Sequence, residues 1–404
     1  MPLGTGVSRM NKKTRTAHIV GAGIAGLATA IGLANRGWSV RVFERSPVLR
    51  TTGGGIGLTP NGLHALNALG VGESVRRCSV VQEEGGVRAP SGRFIARSRL
   101  EFVERRYGES IRSLLRTDLA QALEAALPEG TVRYGARVED IRPGDAATPA
   151  ELIVAGESLT SDLVVGADGI RSAVRRCLYP DHPPVRSCGA VSWRAVVPAS
   201  GMAPVAAETW GAGLRLSILP LPGDRVHFSA LACSSLWRSV RDSPDGPARL
   251  FGDWHDPIPL MLCRATHETT YFDQIEELPR PLDGFARGRV VLVGDAAHPM
   301  APNVGVANLA LEDAVELAHT VGDAGDWDAL RAGLARYDRV RRPRTIRMSR
   351  MSRRMGRFAE MRAPLAVAAR NGGVWLGGFL PEVVSRRFMD SMAGWTPPAA
   401  RTAR

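Results

Sequence analysis

The run Gly21-Ala-Gly23-Ile-Ala-Gly26 constrains this chain more than any other feature. It follows a short apolar segment, Ala17 to Val20, and opens an Ala/Leu-rich stretch, Leu27 to Asn35, that closes at Gly37. Trp38 to Glu44 then resumes a strand pattern, with Val40 and Val42 on one face. Strand, tight turn, helix and strand in that order make a βαβ unit, which belongs in a parallel sheet. Gly21 permits the sharp turn, Gly23 lets a pyrophosphate approach the backbone, and Gly26 lets helix and strand pack closely. The helix N-terminus at Ile24 and Ala25 offers unpaired N–H groups and a positive dipole end to phosphates. Glu44, with Arg45 beside it, ends the second strand and is placed to accept hydrogen bonds from ribose hydroxyls. Its charge argues against a 2′-phosphate there. The motif alone does not separate FAD from NAD.

Beyond this unit, Asn61–Leu69 and Arg116–Ala126 read as helices, and Thr131–Val138, Glu151–Val154 and Asp162–Val165 as strands. From about Pro183 to Pro281 the texture changes to short alternating runs broken by Pro and Gly, which suggests an antiparallel sheet. Arg289–Val293 returns to a buried strand, followed by a helix over Leu309–Val321 and a long basic helix over about Trp327–Arg362, kinked at Pro343.

Composition removes several classes of chemistry. Lys+Arg number 52 against 40 Asp+Glu, a net charge of +12, yet Lys12 and Lys13 are the only lysines. A buried lysine nucleophile or proton relay is therefore excluded from the body of the chain. The five cysteines, Cys78, Cys177, Cys188, Cys233 and Cys263, are scattered with no C-x-x-C, so a disulfide framework and a metal site both lack support. Residues 1–16 are polar and basic without an apolar core and read as a tail, not a signal peptide. Neither His18–Ala34 nor Pro364–Val384 offers about 20 uninterrupted apolar residues. A cytoplasmic protein with no membrane span is expected. The arginines of 336–357 alternate with Ile346, Met348, Met351 and Met355 at helical spacing, so an amphipathic helix packed on the first domain explains them better than nucleic acid.

A second motif runs from Gly294-Asp295-Ala-Ala-His298-Pro299 through Pro302 to Asn308 and Glu312-Asp313-Ala314, and a third is Asp162-Leu-Val-Val-Gly166-Ala-Asp168-Gly169. With these, from about residue 16 to the Trp395–Pro398 stretch, the chain resembles the FAD-dependent aromatic-ring hydroxylases of the para-hydroxybenzoate hydroxylase type. The resemblance implies an α/β fold: a Rossmann-like FAD-binding domain, an inserted antiparallel substrate sheet and a C-terminal helical segment. The expected divisions are a tail (1–16), the FAD-binding domain (17–182, including smaller substrate-side strands), the substrate sheet (183–282), a return segment (283–326) and helices (327–404). It also implies that Gly294 and Asp295 meet the ribityl chain of FAD, that Arg116 contacts the cofactor chain, and that Asp168 and Val138 help hold FAD. Asp168 as a plain turn residue stays open. No second G-x-G-x-x-G occurs, which fits a family in which NADH or NADPH binds transiently.

One departure stands out. The family reads P-x-x-G-Q-G-x-N where this chain has Pro302-Asn-Val-Gly305-Val306-Ala307-Asn308, one residue shorter. Either the loop is rearranged around a working flavin, or flavin binding and reduction are weakened. In the middle region Arg215 is a candidate to steer an anionic or phenolate substrate, and His227 to assist deprotonation; an outward-facing arginine and a structural histidine are the plain alternatives. The resemblance implies an NAD(P)H-using monooxygenase that hydroxylates or epoxidises an aromatic or other electron-rich small molecule with O2, through a C4a-hydroperoxyflavin. A degenerate flavin-binding protein without oxygenase activity is the alternative. A flavin-dependent halogenase is disfavoured, because W-x-W-x-I-P and a body lysine are both missing. No metal and no nucleic-acid or membrane partner is expected, and monomer or homodimer stays open.

Overall fold

Four motif-bearing strands bring their carboxyl ends to one edge of a single sheet. In the computed structural model, which describes residues 14–49, 53–240, 245–266, 269–377 and 382–398, the chain opens with β1 (Thr16–Val20), α1 (Ile24–Ala34) and β2 (Ser39–Phe43). Next come β3 (Gly55–Leu58), α2 (Arg116–Glu124), the two-residue β4 (Val132–Arg133), β5 (Leu163–Gly166) and α3 (Ala173–Leu178). Helix α1 carries no charged residue and is buried over almost its whole length. A helix apolar all round must be covered on both sides.

The middle of the chain supplies β6 (Arg186–Pro198), β7 (Ala207–Trp210), β8 (Leu214–Leu221), β9 (Arg225–Cys233) and β10 (Thr270–Glu277). They form a seven-stranded sheet in the order β10-β6-β9-β8-β7, extended by strands Glu84–Arg88 and Phe94–Arg99 from the earlier part of the chain. Strand β7 pairs in parallel with Glu84–Arg88, so the sheet is not wholly antiparallel as the sequence suggests. One face carries Val191, Trp193, Ala195, Leu216, Ile218, Phe228 and Ala230, packed under helices Gly246–Phe251 and Ile258–Arg264. The opposite face is polar: Arg215, Ser217 and Leu219 of β8 stand opposite Leu231, Ser229 and His227 of β9, with Arg194 of β6 beside Ser229. On that face His227 touches Gly54 and Gly55, at the start of β3, which pairs with strand Arg112–Leu115 in a small three-stranded sheet of its own.

The chain returns through β11 (Ala286–Arg287) and β12 (Val290–Leu292), completing a first sheet of order β11-β12-β5-β1-β2-β4. Its four central strands are parallel, in the register Phe43, Val20, Gly166, Leu292. Helix α4 (Val306–Val321) then covers α1, and Gly32 permits that approach, since a Cβ there would lie 2.9 Å from Ala318. Helix α5 (Trp327–Ala359) runs on through Pro343.

Several expectations shift. Arg15 donates to the carbonyls of Ala324 and Arg36, so the anchored chain begins before residue 17, while 1–13 lie outside the described residues. The strand expected over 131–138 is only β4, and Val138 begins Val138–Arg142 in a separate three-stranded sheet. Helix α4 starts at Val306 instead of Leu309, which places the short-loop residues 306–308 inside its first turn.

Candidate active site

The carboxyl edge of the first sheet opens into a cavity of about 960 Å³ lined by Gly21, Gly23, Ile24, Glu44, Arg45, Arg116, Val138 and Asp168. Ligands of open α/β sheets bind at such an edge. Gly21 has φ +104°, and a Cβ there would press on the Ala167 carbonyl at 2.6 Å. A Cβ on Gly26 would lie 1.9 Å from the Gly21 carbonyl, whereas one on Gly23 would meet nothing within 4 Å. Gly26 is thus required by the fold, and Gly23 leaves bare backbone facing open space, as a pyrophosphate needs. Glu44 accepts from the backbone N–H of Ala22 at 2.9 Å and of Ser46 at 2.8 Å, tying the glycine turn to the end of β2. A carboxylate accepts about four hydrogen bonds, so both oxygens keep capacity for ribose hydroxyls.

Asp168 lines the same cavity, but its carboxylate accepts from Ser172 Oγ and from the backbone N–H groups of Ala173 (2.6 Å) and Val174 (3.2 Å). It fastens the start of α3, the role of a turn residue, while holding that turn against the cavity wall. Arg116 is exposed at the start of α2, its backbone N–H bonded to the Gly54 carbonyl at 3.1 Å.

Gly294 and Asp295 form a single 3₁₀ turn after β12, and Gly294 has φ +58°. A Cβ on Gly294 would meet Ala25 at 2.8 Å and Ala310 at 3.3 Å, so this turn sits between the start of α1 and α4. Among the described residues no group hydrogen-bonds the Asp295 carboxylate, and burial pushes its carboxyl up, opposed by His298, Arg116 and Arg175. A sheltered carboxylate with free acceptors beside the pyrophosphate cradle fits a ribityl chain. Together with bare Gly23 and the cavity, the residues fit FAD.

Beneath the turn lies an ion network that motif reading does not resolve. Asp313 accepts from the Gly294 N–H at 2.9 Å, His298 Nε2 at 2.6 Å and Arg341 Nε at 2.6 Å. Burial alone would raise the Asp313 carboxyl, but His298 and Arg341 more than offset it and hold it at about 2. Glu312 pairs with Arg341 and Arg344 and accepts from Asn61. Two arginines of the basic run therefore neutralise a buried acidic pair. The signal was present in Glu312-Asp313 but lacked a visible partner.

The short loop is a complete helix entrance. Gly305, at φ +67°, is the residue before α4, and Asn308 ties the first turn to β3 by donating to the Gly57 carbonyl (3.2 Å) and accepting from the Thr59 N–H (3.3 Å). Val306 and Ala307 lie between these two anchors. Asn303 accepts from Arg215 Nη2 at 2.6 Å and donates to the Ser352 carbonyl at 3.0 Å.

Between loop and sheet, Ser217, Leu219 and Ser229 are half-exposed although they lie in the two central strands β8 and β9. They form the exposed middle of the polar face, with Arg215 towards one end and His227 towards the other. Arg215 is buried, bonded to Asn303 and 3.7 Å from Glu208. His227 Nδ1 donates to the Ala195 carbonyl at 3.0 Å, and burial lowers its pKa to about 4, so the ring is neutral with its acceptor at Nε2. Neither Arg215 nor His227 lines the cavity at the sheet edge, whereas Arg194, Tyr271 and Asp273 of the inserted sheet do. Sequence alternation could not single these out without the register.

Among the described residues there is no cluster suited to a metal ion and no helix long and apolar enough to cross a membrane. The family described as "FAD binding domain" matches residues 13–210 and 264–352. The chain is 37% identical over 349 residues to 3-amino-4-hydroxybenzoate 2-monooxygenase of Streptomyces cremeus, covering 83% of this chain and 86% of that one. It is 32% identical over 355 residues to an aurachin C monooxygenase/isomerase of Stigmatella aurantiaca, covering 85% and 90%. Among solved structures, Klebsiella pneumoniae HpxO complexed with FAD and uric acid superposes with a TM-score of 0.84 at 23% identity, over 96% of this chain and 98% of that one. With the cofactor cradle, the Gly294–Asp295 turn and these relatives together, the chain belongs to the group A FAD-dependent aromatic hydroxylases and is an FAD-dependent monooxygenase.

Proposed function

We propose that this enzyme uses NADH or NADPH and O2 to hydroxylate or epoxidise an aromatic or other electron-rich small molecule. The observation that carries this reading is the cavity at the sheet edge that holds the cofactor motifs, which Arg194, Tyr271 and Asp273 of the inserted sheet also line. Bound FAD would supply the redox and oxygen-activating chemistry, which belongs to the cofactor. The chain's own residues bind and orient. The glycine turn, Glu44 and Asp295 hold the cofactor. Val306, Ala307 and Asn308 set the helix N-terminus, whose dipole favours negative charge near it. His227 holds a proton-bearing substrate group at Nε2. Arg215 acts as a positioning residue that ties the Pro302–Gly305 loop to the substrate sheet through Asn303.

A flavin-binding protein without oxygenase activity, the alternative raised by the short loop, finds no support in the relatives or in a loop anchored at both ends. The test is NAD(P)H oxidation by the purified yellow protein with a panel of phenols, hydroxyquinones and fused aromatics. At least one should accelerate oxidation with matching O2 uptake. Uptake that no ring compound stimulates would contradict the reading.

A further inference from the structure

We infer that helix α6 (Pro364–Gly377), together with the outward arginines of α5, is an anchor that lies on an anionic lipid surface. Two observations carry this. First, α6 is built inside out. Arg370, its only charged residue, is 2% exposed; the guanidinium donates to the carbonyls of Gly211 (3.1 Å) and Ala359 (2.5 Å) and lies over the Trp210 ring at 5.5 Å. The side towards water is apolar instead. Leu365 is 86% exposed, Leu376 60% and Trp375 53%, with Ala368 and Ala369 exposed between them at helical spacing. Of the eight exposed large apolar side chains among the described residues, these three and Phe358 fall within 358–376, and the other four are spread over 48–272. A helix held down by its one charge, with its apolar face in water, marks an interaction surface.

Second, the helix leading into α6 presents a basic stripe. Arg347, Arg350, Arg354 and Arg357 stand three, four and three residues apart, hence on one face of α5, and all are exposed. None is in an ion pair with a described residue, whereas Arg353 among them turns inward to Glu277 at 3.0 Å. Arg362, exposed as well, stands three residues before Leu365, and Glu360, the only acid of 347–377, is half-buried. The Gly213 N–H donates to the Met361 carbonyl at 3.0 Å, so the end of α5 and the start of α6 are fastened at the β7–β8 turn. Apolar side chains at the headgroup boundary and arginines near anionic lipid act together, and each alone is weak. A second copy of the chain fits this surface poorly, since each copy carries +12 and brings the same stripe. Nucleic acid would engage the arginines and leave Leu365 and Leu376 in water. No membrane partner is expected from the lack of a spanning stretch, but a helix lying in the interface needs none.

The experiment is flotation of the FAD-loaded enzyme with vesicles of phosphatidylglycerol and phosphatidylcholine in equal parts, beside vesicles of phosphatidylcholine alone. Binding to the anionic vesicles should be at least about tenfold tighter, and should weaken as salt is added. Leu365→Ser with Leu376→Ser, and separately Arg350→Gln with Arg354→Gln, should each cut that binding by about tenfold or more. Because all four side chains are exposed, FAD content and melting temperature should stay at the parent level. No binding to the anionic vesicles, or binding that the leucine pair leaves intact, would overturn the inference. So would a parent dimer that ignores vesicles and becomes monomeric in the leucine variant, or binding of a DNA duplex that anionic vesicles do not displace. None of these readouts depends on turnover.

Discussion

Gly23 and Gly26 are three residues apart and face opposite surroundings, so their substitutions separate the cofactor from the fold. Gly23→Val adds a side chain to open cavity space, where the pyrophosphate would lie. The expected product is a soluble protein with near-parent thermal stability that loses most of its FAD. Gly26→Ala drives a methyl group into the Gly21 carbonyl, and should destabilise the fold by about 1–3 kcal/mol or more. Asp295→Ala should behave like the Gly23 variant, because no described group hydrogen-bonds its carboxylate. Flavin absorbance after gel filtration, beside a melting curve, checks all three. Parent-level FAD retention in both Gly23→Val and Asp295→Ala would show that the cofactor site is misplaced. At this scale the sequence was highly legible, since these residues are set by local turn geometry. Asp168 was less so: only the structure shows its carboxylate engaged by α3.

The short loop before α4 shows what element-scale reading misses. The missing residue reads in sequence as possible impairment, but the helix begins directly after Gly305, and Asn303 and Asn308 anchor both sides. Asn308→Ala removes two hydrogen bonds from a buried site and should cost about 1–3 kcal/mol of stability, measurable by urea unfolding. Inserting Gln-Gly in place of Val306 moves Asn308 out of register with Gly57 and Thr59. We expect weaker FAD retention, not tighter; faster anaerobic reduction by NAD(P)H with undiminished FAD loading would show that the short loop is a defect. The inserted sheet was legible only as a texture. Its polar face depends on register, and a slip of one residue exchanges Ser217 for Leu216 or Ile218. The recruitment of 84–99 left no local signal, because strand pairing across about a hundred residues is written in tertiary packing alone.

At the scale of the whole molecule, burial of two neutral histidines couples stability to pH. Burial lowers both His18, in β1, and His227, in β9, from 6.5 to about 4. Between those values the unfolded chain binds protons that the folded chain does not, so this contribution is complete above about pH 6.5 and is lost as pH falls towards 4. The loss should be on the order of 3 kcal/mol for each histidine over the full window. Melting temperature between pH 8 and 4.5 checks it, and His18→Phe should flatten part of the slope. The network joining Asp313, Glu312, Arg341 and Arg344 works at the same scale, fixing the long helix α5 beneath the cofactor turn. It also explains why part of the arginine excess faces inward.

The most direct test of the whole account is isotopic. Holoenzyme, NADH or NADPH, and the ring compound that best stimulates oxidation are incubated under ¹⁸O2, and the product is examined by mass spectrometry. The expected result is a product that has gained one oxygen atom carrying the heavy label, with one equivalent of nicotinamide oxidised per product. A product without label, or oxidation of nicotinamide that yields only hydrogen peroxide with every ring compound bound, would contradict it.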